Sequence, residues 1–558
     1  MAIKDAIKVQ AASIATISLL SLFLGIIFAA AAITTGSFSM HFVITAIILM
    51  NLLLWLFGPF FQTLFFKWFY KVRFYKYEEL QKEDWARFLK RLCDEKKIRF
   101  PGIGIIEDDN PTAFSYGSAS FNARIVLTRG MWKFLSEPEV EAVLAHELGH
   151  IVHRDFIIMT IASTIVQLFY VIYRFLAGGM KKGDEKRGAY LLAIGLVSYF
   201  FYWIGTYALL FLSRAREYYA DQFAAEKTDP NVLSTALIKI AYGIAAVEDT
   251  DKTAHLLNQT RAMGLIDPKR AYSLGLIYLN SEGQLDKLKK AFLFDLVNPW
   301  ATFMELSSTH PLTGKRLKKL AEQSKKPLFS LSAETEEVDK GSLWRNFFTD
   351  LLVQNSFIIS GIIMLAITLF LGVLIPKNAL YPLAFIATLA YLAVLIALIT
   401  IKTGYKFSGA GFQQMQIIDA MADLYASPVR GKPVRLSGIV FGRGVPGYIF
   451  GEDMMYRDRT GFIFLNYESA FPIFGNLYFA WKKLEGLYKK PSQATGWFFR
   501  GVTQHIELKE LEFKDEKIKS RVKFWFVFWE IIVAALLTFL FLIISALMAA
   551  ALTHAKPL

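Results

Sequence analysis

Three residues stand at a spacing suited to hydrolytic chemistry: His146, Glu147 and His150. Positions i and i+4 of a helix share a face, so His146 and His150 can turn both imidazoles toward one metal ion. Glu147 lies beside that face, where a carboxylate can take a proton from a metal-bound water. Ser136, Glu137 and Pro138 precede the segment and read as a helix start, with Ser136 as cap and Pro138 in the first turn. The chain has only eight histidines. A chance His-Glu-x-x-His is therefore expected in fewer than about one such chain in a hundred. His153 falls roughly on the same face as His146. Three ligands on one straight helix do not surround a tetrahedral ion, so His153 is read as an interfacial or hydrogen-bonding residue. Cys93 is the single cysteine. It is read as structural, and any zinc must then be held by His and carboxylate.

A third ligand has to come from another segment. The best candidate is Glu217, within Ser213-Arg214-Ala215-Arg216-Glu217-Tyr218-Tyr219-Ala220-Asp221. Glu217 and Asp221 are i and i+4 on an expected helix and face the same way. One carboxylate can bind zinc while the other orients a ligand imidazole from behind. Alone, this stretch would read as a solvated helix start with Arg–Glu pairs. Beside the two histidines the metal reading prevails, because two His and one Glu form a recurrent catalytic zinc set.

The elements that must position these residues belong to a very apolar chain. Of 558 residues, 54% are hydrophobic, against roughly 45–50% in soluble domains. The formal charge of +14 suits basic flanks of membrane spans better than a grip on nucleic acid. A span needs roughly 20 apolar residues. Seven runs qualify: 11–33, 42–60, 156–176, 189–212, 357–375, 379–401 and 524–552. The first has no clear small-residue cleavage site and is followed at once by a second, so it reads as a span rather than a signal peptide. Loops 34–41 and 376–378 are short and nearly uncharged, which puts the basic stretch 67–76 and the large polar regions on the cytoplasmic side. The loop 178–188, with Lys181, Lys182, Lys186 and Arg187, runs against that tendency. It leaves open whether 156–212 crosses fully or enters the membrane only in part. A transporter would want ionisable residues within its spans, and few lie there; Glu530, near the start of the last, is one.

The expected architecture is mainly α, a polytopic membrane protein. A transmembrane hairpin covers 1–66, a metalloprotease domain 67–345 with the apolar hairpin 156–212 inside it, and a second transmembrane hairpin 346–401. A small β-rich soluble domain covers 402–520, and a last span lies within 521–558. The β-rich domain is read from the runs 434–441, 447–450, 461–467 and 496–501 among Gly and Pro. Residues 432–438 and 458–461 resemble the opening strands of OB-type barrels. No spaced row of stacking aromatics there points to nucleic acid, so a regulatory or docking module is expected.

Residues 146–155 and 213–221 resemble the HtpX-type membrane metalloproteases, relatives of the CAAX prenyl proteases. Residues 110–117 resemble that family's Asn-Ala-Phe strand, with Pro111 and Thr112 standing between Asn110 and Ala113. Residues 308–316 resemble its later His-Pro motif. The resemblance implies a zincin-type, gluzincin-like domain with one Zn2+ per chain bound by His146, His150 and Glu217. It implies Glu147 as general base, Asp221 in support of a ligand imidazole, and His310 beside the oxyanion. It implies that the strand of Ala113, Phe114, Ser115 and Tyr116 pairs with an extended peptide. The expected partners are a protein substrate and the lipid bilayer, not nucleic acid. The expected activity is cleavage of misfolded or damaged membrane proteins at the cytoplasmic side of a prokaryotic plasma membrane. The alternatives are a prenyl-protein protease and a non-catalytic scaffold recruiting through the β-rich domain. The intact Glu147 speaks against the scaffold.

Overall fold

The computed structural model describes residues 40–178, 185–246, 285–328, 338–409, 411–443, 453–501 and 504–554. They fall into two compact units, Met1–Asn280 with Thr302–Glu336, and Ser281–Ala301 with Glu337–Leu558. Six helices among the described residues are long and apolar enough to cross a membrane. The run 11–33, expected as a further span, lies outside the described residues, as does the expected β run 447–450.

In the first unit, helix α1 (Met40–Phe69) leads into a four-stranded sheet. Its strands are β1 (Arg73–Tyr75), β2 (Gly102–Ile106), β3 (Ala113–Tyr116) and β4 (Arg124–Thr128), in the order β1-β2-β4-β3. Strands β2 and β4 are parallel, and the other pairs are antiparallel. Phe66 of α1 packs with Ile106, Phe114, Tyr116 and Val126 in one apolar cluster. Trp55 Nε1 donates to the Ser118 carbonyl at 2.8 Å, and Thr63 Oγ1 lies 3.0 Å from the Tyr116 hydroxyl. A membrane helix thus holds β3 in place. Helix α2 (Asp84–Glu95) buries Trp85, Phe88, Leu89, Leu92 and Cys93 along one stripe. Burial pushes the Cys93 thiol up to about 12, so it stays protonated and inert, as a structural cysteine should.

Strand β3 ends the sheet, and no described strand pairs with its other side. Thr128 N–H donates to the Thr112 carbonyl at 3.0 Å. Alternation along an antiparallel ladder then turns the N–H and C=O of Ala113 and Ser115 away from β4.

Helix α3 (Glu137–Val152) starts where the sequence predicts. The Ser136 N–H and hydroxyl both donate to the Glu139 carboxylate, at 2.8 and 2.9 Å. Burial raises the Glu139 carboxyl, but its ion pair with Lys239 and these bonds outweigh that and hold it below the usual range. Arg154, with φ 60°, sits in the left-handed region that most L residues avoid. It ends α3 and redirects the chain into α4 (Asp155–Gly178). Helix α5 (Glu185–Lys227) follows. By apolarity alone this run ends at 212. The structure has one 43-residue helix instead. No Gly or Pro stands between Gly205 and Pro230 to break it. With 24 residues, α4 is about 36 Å long, enough for a core about 30 Å thick. Helices α6 (Pro230–Ala246) and α7 (Thr313–Gln323) belong to the same unit.

In the second unit, α8 (Ser356–Leu374), α9 (Leu380–Lys406) and α10 (Val522–His554) pack through Phe357, Ala387, Tyr391, Leu395, Ala534 and Phe541. Glu530 is paired with Lys402 of α9 at 2.7 Å, which answers the cost of an ionised group beside a membrane span. Between α9 and α10 lie β5 (Gln413–Gln414), β6 (Lys432–Arg443), β7 (Met454–Arg457), β8 (Phe462–Asn466), β9 (Pro491–Arg500), β10 (Gln504–Glu512) and β11 (Lys517–Lys519). The pairings β6-β7-β8-β10-β9 return to β6, which closes a five-stranded barrel with β8 and β10 parallel. That strand order is the OB-type topology, so the likeness noted at residues 432–438 and 458–461 extends to the barrel as a whole. Asp458 makes the β7–β8 turn by accepting from the Thr460 and Gly461 N–H groups. Strands β7 and β10 carry no strong apolar run that would announce them from sequence.

Candidate metal centre

Helices α3 and α5 meet at Gly149. A Cβ added there would stand 3.1 Å from the Ala220 Cα, so any larger residue would push the two backbones apart by a few tenths of an ångström. That approach sets His146 and His150 of α3 against Glu217 and Asp221 of α5. His146, Glu147, Glu217 and Asp221 are all buried.

The Nε2 atoms of His146 and His150 are 3.2 Å apart. Each is 3.6 Å from a Glu217 carboxylate oxygen. The outer nitrogens face carboxylates: His146 Nδ1 is 3.0 Å from Asp221, and His150 Nδ1 is 2.7 Å from Asp155. The Asp155 carboxylate, within hydrogen-bond distance, favours a proton on His150 Nδ1, and the negative charge of Asp221 favours one on His146 Nδ1. Both Nε2 atoms are then lone-pair acceptors that point at one another and at a third acceptor. Acceptors alone do not hold together in a buried pocket, and a cation between them resolves the conflict. A tetrahedral zinc with bonds of 2.0–2.1 Å sets its donors about 3.3 Å apart, close to the spacing found. Glu217 Oε2 also has no hydrogen-bond partner among the described residues. The three residues therefore fit a metal ion.

Glu147 projects next to this set without joining it. Burial pushes its carboxyl above the usual range, against the pull of His150, His146 and the Ser115 hydroxyl. His310 is buried with Nδ1 3.3 Å from Glu217. Its loop is pinned to α5 by Arg214, which donates to the carbonyls of Glu305 and Ser308 at 2.8 Å each. His153 lies outside the set and meets the rings of Tyr219 and Phe223 edge-on. A cleft of about 330 Å³ adjoins the centre. It is lined by Ser115 and Tyr116 of β3, Gln62 of α1, Met159 and Thr160 of α4, and His150 and Glu217.

Two participants escaped the sequence reading. Asp155 holds His150 and is itself ion-paired with Arg216. Arg316 makes a double contact with Asp221, at 2.8 and 2.6 Å, and is almost wholly buried. Both residues sit inside the quoted motif segments. Asp155 lies beyond the end of α3, so helical spacing from His150 gives no hint of the contact; only the turn at Arg154 brings it back. Replacing Asp155 with Asn is expected to weaken metal binding about 10–100-fold, read by competition with a chelator of known affinity.

A family profile described as Peptidase family M48 matches residues 79–324, which hold every residue of this centre. The chain is 37% identical over 149 residues to a Protease HtpX homolog of Methanothermobacter thermautotrophicus, covering 26% of this chain and 55% of that one. It is 31% identical over 289 residues to a Protease HtpX homolog of Aeropyrum pernix, covering 48% of this chain and 82% of that one. Among solved structures, Ste24p of S. mikatae is 18% identical with a TM-score of 0.35, over 57% of this chain and 66% of that one, a likeness too slight to carry weight. Matched along most of an HtpX homologue, around a centre of two histidines and one glutamate, the chain belongs to peptidase family M48 as an HtpX-type membrane metalloprotease.

Proposed function

We propose that this chain is a zinc endopeptidase acting on misfolded or damaged membrane proteins at the cytoplasmic side of a prokaryotic plasma membrane. One observation carries the reading. The cleft at His150 and Glu217 is lined by Ser115 and Tyr116 of the edge strand β3 and by residues of the apolar helices α1 and α4. An unfolded segment of a membrane protein meets such a cleft without leaving the bilayer far behind.

His146, His150 and Glu217 would hold the zinc, with Asp221 and Asp155 keeping the imidazoles in the binding tautomer. Bound zinc supplies Lewis acidity and lowers the pKa of its water to roughly 7. Ala113 and Ser115 offer outward N–H and C=O groups, so an extended peptide can add as the next strand. Phe114 and Tyr116 turn theirs to β4 and hold the strand. Glu147 takes a proton from the attacking water and delivers it to the leaving amine. Its raised affinity for a proton suits it to carry one between those steps. His310 braces Glu217 and stands next to the oxyanion.

The test uses the purified chain in proteoliposomes with three substrates: a single-span protein with an unfolded cytoplasmic extension, a soluble unfolded protein, and a prenylated peptide. We expect cleavage of the first, loss of cleavage on chelation, and recovery at about one zinc per chain. Cleavage of only the soluble protein or only the prenylated peptide, or full activity without metal, overturns the proposal.

A further inference from the structure

The barrel of the second unit carries a feature that neither proteolysis nor barrel packing uses. Residues 474–487, between β8 and β9, are helical. One side of this helix, with Phe479, Ala480, Leu484 and Leu487, is buried in the barrel. The other side shows Phe474, Leu477, Tyr478 and Trp481, spaced i, i+3, i+4 and i+7. Phe474 is 80% exposed and Trp481 68%, and the preceding Phe471 and Ile473 are 73% and 76% exposed. A soluble surface does not leave so contiguous an apolar face bare. Lys482, Lys483, Lys489 and Lys490 follow it, all exposed.

Arg521 N–H donates to the Glu468 carbonyl at 2.7 Å, and Glu468 N–H to the Ser520 hydroxyl at 3.1 Å. Trp525 Nε1, in the first turn of the membrane helix α10, donates to the Ser469 carbonyl at 2.8 Å. The patch therefore begins two residues from a point bonded to the mouth of a span. Glu530, paired with Lys402, marks the polar end of that span, and Trp525 is about 7 Å from it along the helix. Phe524 and Trp529, in the first turns of the same helix, are also exposed. Apolar side chains with Tyr and Trp among them, trailed by lysines, are the composition that settles at a headgroup boundary.

We propose that residues 471–481 are an interfacial anchor that lays the OB-type barrel on the bilayer its own helices span. The apolar face enters the headgroup–acyl boundary, and the following lysines meet lipid phosphates. The barrel is then held at a fixed height and tilt instead of swinging on two helix ends.

The experiment places an environment-sensitive fluorophore on Phe474→Cys in a Cys93→Ala background, with Lys514→Cys, in the β10–β11 turn, as the exposed control. The labelled full-length protein is reconstituted into vesicles with or without lipids carrying a nitroxide near the top of the acyl chain. Quenching by the nitroxide lipid at 474 and not at 514 is expected. Absence of that quenching, or equal quenching at both sites, overturns the proposal. In the first case iodide separates the causes: quenching by iodide means the face lies open to water, and protection means that protein, such as a second copy of the chain, covers it. Trp481→Cys, on the same face, repeats the measurement if Phe474→Cys fails to fold.

Discussion

Glu147→Gln is expected to lower the rate of peptide hydrolysis by about 10²–10⁴-fold, the usual contribution of a general base, while metal content stays near one per chain. The two outcomes separate because Glu147 stands beside the ligand set and not in it. Glutamine keeps the size of the side chain and can still accept from the Ser115 hydroxyl, but it cannot carry a proton from water to amine. Its burial sharpens the expectation. A carboxyl in a dry pocket holds a proton more tightly than one in water. Initial rates on the membrane-bound substrate, with metal analysis of the same preparation, check both halves. A Gln variant with full activity would remove Glu147 from the mechanism.

Arg316→Met is expected to act on stability and metal binding together. Burial alone would lower the pKa of Arg316, but Asp221 and Glu217 outweigh it and keep the guanidinium firmly charged. Taking it away leaves Asp221 buried opposite His146 with no cation, and breaking one partner of a buried pair costs about 3–5 kcal/mol. Asp221 also stops holding His146 in one orientation, so metal affinity is expected to fall about 10–100-fold. Denaturation of the metal-free protein and chelator competition measure the two effects. The double variant Asp221→Leu with Arg316→Met distinguishes them. Removing both charges lets the pocket close over apolar groups, so stability should return toward the starting value. The metal affinity should not, because His146 still lacks its carboxylate. Recovery of both would mean that Asp221 has no part in positioning the imidazole.

Much of this protein is legible in local spacing. The helix of His146, Glu147 and His150 is written in its capping residues and its i, i+4 pattern, and α3 begins where Ser136 and Pro138 say it should. Glu217 and Asp221 share a helix face for the same reason. The apolar runs announce the spans, since a bilayer reads length and hydropathy and little else. Even the barrel left a trace in β6 and in the Asp458 turn, because turn chemistry is local.

Other features belong to the fold alone. Residues 213–227 look like the start of a polar region, yet they continue α5, because nothing in the chain between Gly205 and Pro230 breaks a helix. Strands β7 and β10 are stabilised by neighbours distant in sequence, and their own composition says little. Asp155 and Arg316 are ordinary charged residues in any linear reading. They become part of the metal centre when the Arg154 turn, the Gly149–Ala220 contact and the placement of α7 bring them to His150 and Asp221. Residue types and spacings thus single out His146, His150 and Glu217 as candidate ligands, with the two histidines set within one helical turn. Bringing Glu217 to the two histidines, and Asp155 and Arg316 in behind them, is decided by long-range packing, where sequence distance carries no information about contact.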